Sequence, residues 1–167
     1  MRTESNRQRR KASLTAPYNP EIAEIVEWVK LFPPPVRRIP LGFNATFTPA
    51  ETEQLLRAFV PRGMEDKWFI YFEDGWLRFH RSWTRFFIFG LRLAHRKHGD
   101  GVFVAESWVN GDPEQYGADD WVYERRLVRA LIDGFLLDKP SVTFPSYDVS
   151  TVPPGSLAEH VIRGRQG

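Results

Sequence analysis

Residues 67–84 read KWFIYFEDGWLRFHRSWT: two runs of aromatic and branched side chains that meet at Asp74-Gly75, followed by a polar and aromatic knot. Asp-Gly between alternating apolar residues signals a tight β-hairpin, because both loop positions of the favoured turn need positive φ. With Asp74 and Gly75 as the loop, Glu73 opposes Trp76. The pairing then continues Phe72 with Leu77, Tyr71 with Arg78, Ile70 with Phe79, Phe69 with His80, and Trp68 with Arg81. Side chains alternate between the faces of a strand, so Trp68, Ile70, Phe72, Leu77 and Phe79 form an oily surface. Phe69, Tyr71, Glu73, Trp76, Arg78 and His80 form a mixed one on the other side.

Outward from the hairpin, helix and strand signals alternate in a simple order. Asn19-Pro20-Glu21 is a helix start, with an Asn cap, a proline whose missing N–H costs nothing, and an acid in the first turn. Ile22, Ile25, Val26 and Val29 then mark one buried stripe, and Pro33-Pro34-Pro35 ends the helix. Val36–Thr46, with Pro40 and Gly42, is expected to be an ordered connection or a short extended piece. Thr48-Pro49-Ala50-Glu51 carries a capping box for a second helix running to about Val60. After the hairpin, a strand over Thr84–Ala94 is expected to place Phe87, Phe89, Leu91 and Leu93 on one face and Phe86, Ile88, Gly90 and Arg92 on the other. A fourth strand spans Val102–Val109, and a last helix over Trp121–Leu137 is capped by Asp119 or Asp120. The order ααββββα with short connections predicts an α+β fold: a four-stranded antiparallel meander with helices packed on one face.

Composition sets outer bounds. The chain has 167 residues, 42% hydrophobic and 14% aromatic, enough for one domain with a real core. The absence of cysteine removes disulfides and thiolate chemistry and points to a cytoplasmic setting. No stretch approaches the roughly 20 apolar residues that span a bilayer, and MRTESNRQRRKAS lacks the apolar segment of a secretory signal, so no membrane partner is expected. The pI near 9.0 comes from one end. Residues 1–18 hold five basic groups and one acid, leaving 18 basic against 20 acidic, a net −2, elsewhere. Residues 1–18 are therefore expected to be a disordered basic tail, a solvated extension whose functional alternative is weak, salt-sensitive contact with nucleic acid or an acidic partner. The domain is expected over 19–140, and 141–167 as an irregular extension with a short helix at Ser156–Arg163.

Three constellations bear on function. On the mixed face and its neighbour HRSWT, Tyr71, Trp76 and Trp83 are rings able to stack a base, while Arg78, His80 and Arg81 are cations able to meet phosphate. The same residues also suit ordinary cohesion, with the aromatics in a helix-covered core and Arg78 paired to Glu73. His80 and Ser82 lie two apart, so a base and nucleophile oriented by Glu65 or Asp66 is the catalytic alternative, although no nucleophile elbow accompanies them. His95, His98 and Asp100 have metal-like spacing, but Arg96 and Lys97 between them disfavour a dication, and no metal is expected. Asp112, Glu114, Asp119 and Asp120 gather acid ahead of the last helix and suit Mg²⁺ or ribose hydroxyls, but the latter two favour a cap, which leaves Asp112 and Glu114 open. There is no GxGxxG opening a helix and no GxxxxGK[ST], so no cofactor is expected.

The series MEDKWFIY (64–71), FHRSWT (79–84) and VNGDPEQY (109–116) resembles a group of small, largely uncharacterised bacterial proteins and domains that carry MEDKWFIY, FHRSWT and VNxDPEQY motifs. The resemblance covers Met64–Ile132 and implies a loose association with ADP-ribose-processing proteins. Gly111 departs from it, standing where Arg or another polar side chain is expected. The reading that follows is a non-catalytic binding or regulatory module for a nucleotide-like ligand or a protein partner. The alternatives are a hydrolase acting on ADP-ribosylated or phosphoester substrates and an oligomerising interaction protein.

Overall fold

The structure, a computed structural model, describes residues 13–146. Most of the basic tail and the helix expected at Ser156–Arg163 lie outside the described residues. Within the segment read as tail, Leu14 and Ala16 pack against the main core.

Helix α1 (Pro20–Val29) begins where its cap predicts, with the Asn19 side chain accepting from Glu21 N at 3.0 Å and Ile22 N at 3.4 Å. Two short strands follow, β1 (Arg38–Pro40) and β2 (Thr46–Phe47), and then α2 (Pro49–Leu55). The capping box of α2 is formed in both directions: Glu51 N donates to Thr48 Oγ1 and Thr48 N donates to Glu51 Oε2. This helix stops five residues before the expected Val60, with Ala58 in the left-handed region (φ 68°). The reason is tertiary, because Phe59 exchanges two backbone hydrogen bonds with Ile70 at 2.7 and 3.0 Å and so lies along the sheet.

The hairpin β3 (Trp68–Glu73) and β4 (Trp76–Arg81) has all six expected cross-strand pairs, and Asp74 (φ 52°) and Gly75 (φ 86°) both take the positive φ the turn requires. Strands β5 (Phe87–His95) and β6 (Val102–Asn110) continue the antiparallel meander. The sheet order is β1-β6-β5-β4-β3, with β2 also paired to β6. The four strands expected from the sequence are thus part of a six-stranded sheet, extended on the β6 side only. The connection expected over Val36–Thr46, with Phe47, supplies the other two strands, which lie end to end along the outer side of β6. Helix α3 (Trp121–Leu131), capped by Asp120, widens into a π turn (Ile132–Leu136) instead of continuing as α-helix to Leu137. No helix among the described residues is long and apolar enough to cross a membrane.

Two layers of burial result. The oily face carries the main core, where Ile70, Phe72, Leu77, Phe79, Phe89 and Leu91 meet Leu55 of α2 and Leu127, Val128 and Leu131 of α3. Helix α1 lies on the opposite face, with Val26 and Val29 against Phe69 and Tyr71. The expectation of helices on one face therefore fails for α1. Its stripe Ile22, Ile25, Val26, Val29 supplies the apolar surface that covers the hairpin's second side. A β-bulge also changes the expected parity of β5. Phe79 pairs with Phe89 but His80 pairs with Phe87, so Phe87 turns to the mixed face and stacks on His80, ring centroids 4.5 Å apart.

Candidate ligand cleft

A cleft of about 280 Å³ opens where α1 meets the end of the hairpin. Its walls are Glu24, Ile25, Trp28 and Val29 on one side and Arg81, Ser82 and Arg85 on the other, with Phe69 and Pro61 between. Ile25 and Val29 come from the inward stripe of α1, Phe69 from β3 beneath it, and Pro61 from the connection between α2 and β3. Trp28, off that stripe, stays 54% exposed. The Arg85 guanidinium lies 4.5 Å from the centre of its ring, within cation–π range. Arg81 borders the cleft but lays its own guanidinium on Trp68, at 4.6 Å, and Trp68 belongs to the core on the other side of the sheet.

Arg85 owes its position to the β4–β5 turn. Arg85 N donates to Arg81 O at 2.8 Å and Arg81 N donates to Phe86 O at 3.0 Å, which leaves residue 85 to close the turn at φ 64°. That backbone region ordinarily selects glycine. The Arg85 carbonyl points inward and accepts from His80 Nδ1 at 2.8 Å. Because a carbonyl only accepts, the His80 proton sits on Nδ1 and Nε2 carries the lone pair. His80 is 1% exposed. Burial lowers its pKa from 6.5 to about 4; the bond to Arg85 opposes that shift, and the Arg78 charge adds to it. His80 is a neutral strut under ordinary conditions.

The residues singled out in the sequence divide into three groups. Tyr71, Arg78 and His80 gather on the mixed face, where α1 packs on Tyr71. The Arg78 guanidinium lies 6.0 Å from the Tyr71 ring centre and 5.7 Å from that of Phe87, and pairs with Glu73 at 3.4 Å as the cohesive reading anticipates. Burial raises the Tyr71 hydroxyl to about 12, against the pull of the Arg78 charge. Arg81 and Ser82 border the cleft. Trp76 and Trp83 stand apart from it. Trp76 is tilted against Trp108 at 6.4 Å, and Trp83, 66% exposed, donates its indole N–H to Met64 O at 3.1 Å.

The catalytic grouping is not brought together. Ser82 Oγ donates to the backbone carbonyl of Asp66 at 2.6 Å, the Asp66 carboxylate accepts from Arg62 N at 2.8 Å, and Glu65 is exposed. The VNGDPEQY stretch is a fastening. Buried Asn110 donates to Phe87 O and Gln115 Oε1 and accepts from Asp112 N, while Asp112 Oδ1 accepts from Glu114 N. At Gly111 a Cβ would meet Ile39 at 2.8 Å, so Ile39 fills the space a larger residue would need.

Trp28 and Arg85 were missed in the sequence. Trp28 breaks the α1 stripe, and nothing in the SWTR run says that an arginine will take a glycine-like conformation. No protein-family model, curated protein or solved structure matches the chain.

Proposed function

We propose that this protein is a non-catalytic binding module that takes a nucleotide-like ligand, a flat ring bearing an anionic group, in the cleft between α1 and the β4–β5 turn. The observation that carries the reading is the exposed Trp28 ring with the Arg85 guanidinium stacked on it beside a largely apolar recess. Ring faces give sequence-tolerant stacking to a base, and a guanidinium offers a forked donor set to phosphate. Apolar walls with a few convergent polar groups are the usual make-up of small-molecule sites. In this reading Tyr71, Arg78 and His80 support the site from beneath, and Arg81 and Ser82 frame it. ADP-ribose and its relatives are the first ligands to try, since they join a ring to phosphates.

The test is ligand-dependent thermal stabilisation with AMP, ADP and ADP-ribose, and with uncharged adenosine as the contrast. A ligand that binds only the folded state raises the melting temperature by mass action. The phosphorylated compounds are expected to do so, and Arg85→Ala and Trp28→Ala to abolish the effect while the protein stays folded. A panel in which no compound shifts the transition removes the small-molecule reading. Release of product from an ADP-ribosylated substrate by the purified protein, lost in His80→Ala, replaces it with the hydrolase.

A further inference from the structure

We infer that His80 is a positioning residue for this cleft: from within the sheet it fixes the Arg85 backbone in its left-handed conformation and thereby holds the Arg85 guanidinium over Trp28. The inference rests on the cleft reading for its functional consequence, but its structural content stands on separate contacts. Residue 85 closes a turn whose geometry favours glycine, yet the side chain there is long and charged and extends over an exposed indole. Strained backbone of this kind persists where the surroundings over-determine it, and it concentrates at binding sites. Two backbone bonds, from Arg85 N and Arg81 N, close the turn but leave the Arg85 carbonyl aimed at the interior. An inward carbonyl needs a buried donor, and His80 Nδ1 supplies it at 2.8 Å.

His80 is itself held in place on both sides. Its ring stacks on Phe87 at 4.5 Å and lies 5.8 Å from Tyr71. The strut is therefore rigid, and the β-bulge that turns Phe87 to this face is part of it. His80 does not border the cleft, so its effect on a ligand passes through Arg85. A phenylalanine or leucine here would keep the packing and lose the donor. Asparagine, whose amide nitrogen occupies nearly the place of Nδ1, would keep the donor.

The experiment reads the Arg85 Nε–H resonance in the full chain at neutral pH, assigned by its loss in Arg85→Lys. In the wild type this resonance is displaced by the Trp28 ring current, and Trp28→Leu removes the displacement. His80→Leu is expected to return it to the position of a free arginine and to weaken ADP binding by at least about ten-fold, and His80→Asn to preserve both. A folded His80→Leu protein whose Arg85 resonance stays displaced overturns the inference. Should His80→Leu not fold, the wild-type imidazole decides: Nδ1 protonated and Nε2 bare is required, and the opposite tautomer overturns it. If the wild type binds no ADP while the resonance responds to His80 as described, the ligand reading fails and the positioning role stands.

Discussion

The indole of Trp108 lies against the bare backbone of Gly90 on the neighbouring strand, so closely that a Cβ at residue 90 would stand 2.4 Å from Trp108 Cε2. Gly90 occupies the middle of a cross-strand row running Tyr71, Arg78, Gly90, Trp108. Its missing side chain is what lets a large ring lie down on the mixed face beside Phe87, at 4.8 Å.

Gly90→Ala is therefore expected to destabilise the protein by about 1–3 kcal/mol, the usual range for overpacking. In an ordinary strand the same change stabilises, because alanine loses less backbone entropy on folding. The sign of the shift in the urea midpoint, at unchanged slope, distinguishes the two cases.

Substitution at Arg85 should show a trade between stability and binding. A non-glycine residue in the left-handed region costs about 1–2 kcal/mol, so Arg85→Gly is expected to be more stable than Arg85→Ala by about 1 kcal/mol. Both variants lose the guanidinium over Trp28 and with it the ligand-dependent rise in melting temperature. Equal stability of the two would mean that residue 85 bears no strain.

Stability should depend on pH through His80. The folded pKa of about 4 lies below the 6.5 of the unfolded chain. The contribution is fully present above 6.5 and is lost as pH falls from 6.5 towards 4, where the unfolded state takes up a proton that the native state refuses. At about 1.36 kcal/mol per unit of separation, the loss amounts to about 3 kcal/mol at most. Urea unfolding followed across that window should fall for the wild type and be flatter for His80→Asn.

Tyr116 donates its hydroxyl to the Glu124 carboxylate at 2.8 Å, and both residues are buried between the VNGDPEQY loop and α3. Tyr116→Phe removes that donor and is expected to cost about 1–3 kcal/mol, the range for depriving a buried polar group of a partner. Chemical denaturation of the variant measures it, and an unchanged midpoint would mean that this hydrogen bond does not contribute to the loop's attachment.

What the sequence made legible was local. The Asp-Gly turn determined the hairpin register down to Trp68 opposite Arg81, and the Asn19 and Thr48 caps placed two helix starts, because those signals act over a few residues. What it concealed depended on distant partners. Arg38–Pro40 and Thr46–Phe47 become strands only because β6, more than fifty residues later, offers an edge to pair with. The face holding Tyr71 and His80 was separated from the oily one, but parity alone does not say what covers a face: α1 packs on Phe69 and Tyr71, and His80 is buried against Tyr71 and Phe87. The bulge at His80 was equally hidden, since it depends on how β4 and β5 are joined. Of the residues singled out in the sequence, Arg81 and Ser82 border the cleft. Trp28 and Arg85, whose proximity arises from packing a helix across the sheet, were passed over.

The two margins of the sheet carry a consequence for how the molecule behaves among copies of itself. On β1, the bonds from Gly111 N to Arg37 O and from Leu41 N to Ser107 O turn the odd-numbered residues inward, so Arg38 and Pro40 face away from the sheet. Proline has no amide hydrogen to give, and arginine sets a charge beside it. On the far margin Phe59 already occupies Ile70. A stray extended chain seeking to join at β1 or at Ile70 meets an interrupted ladder, which disfavours fibril-like accretion at those two places.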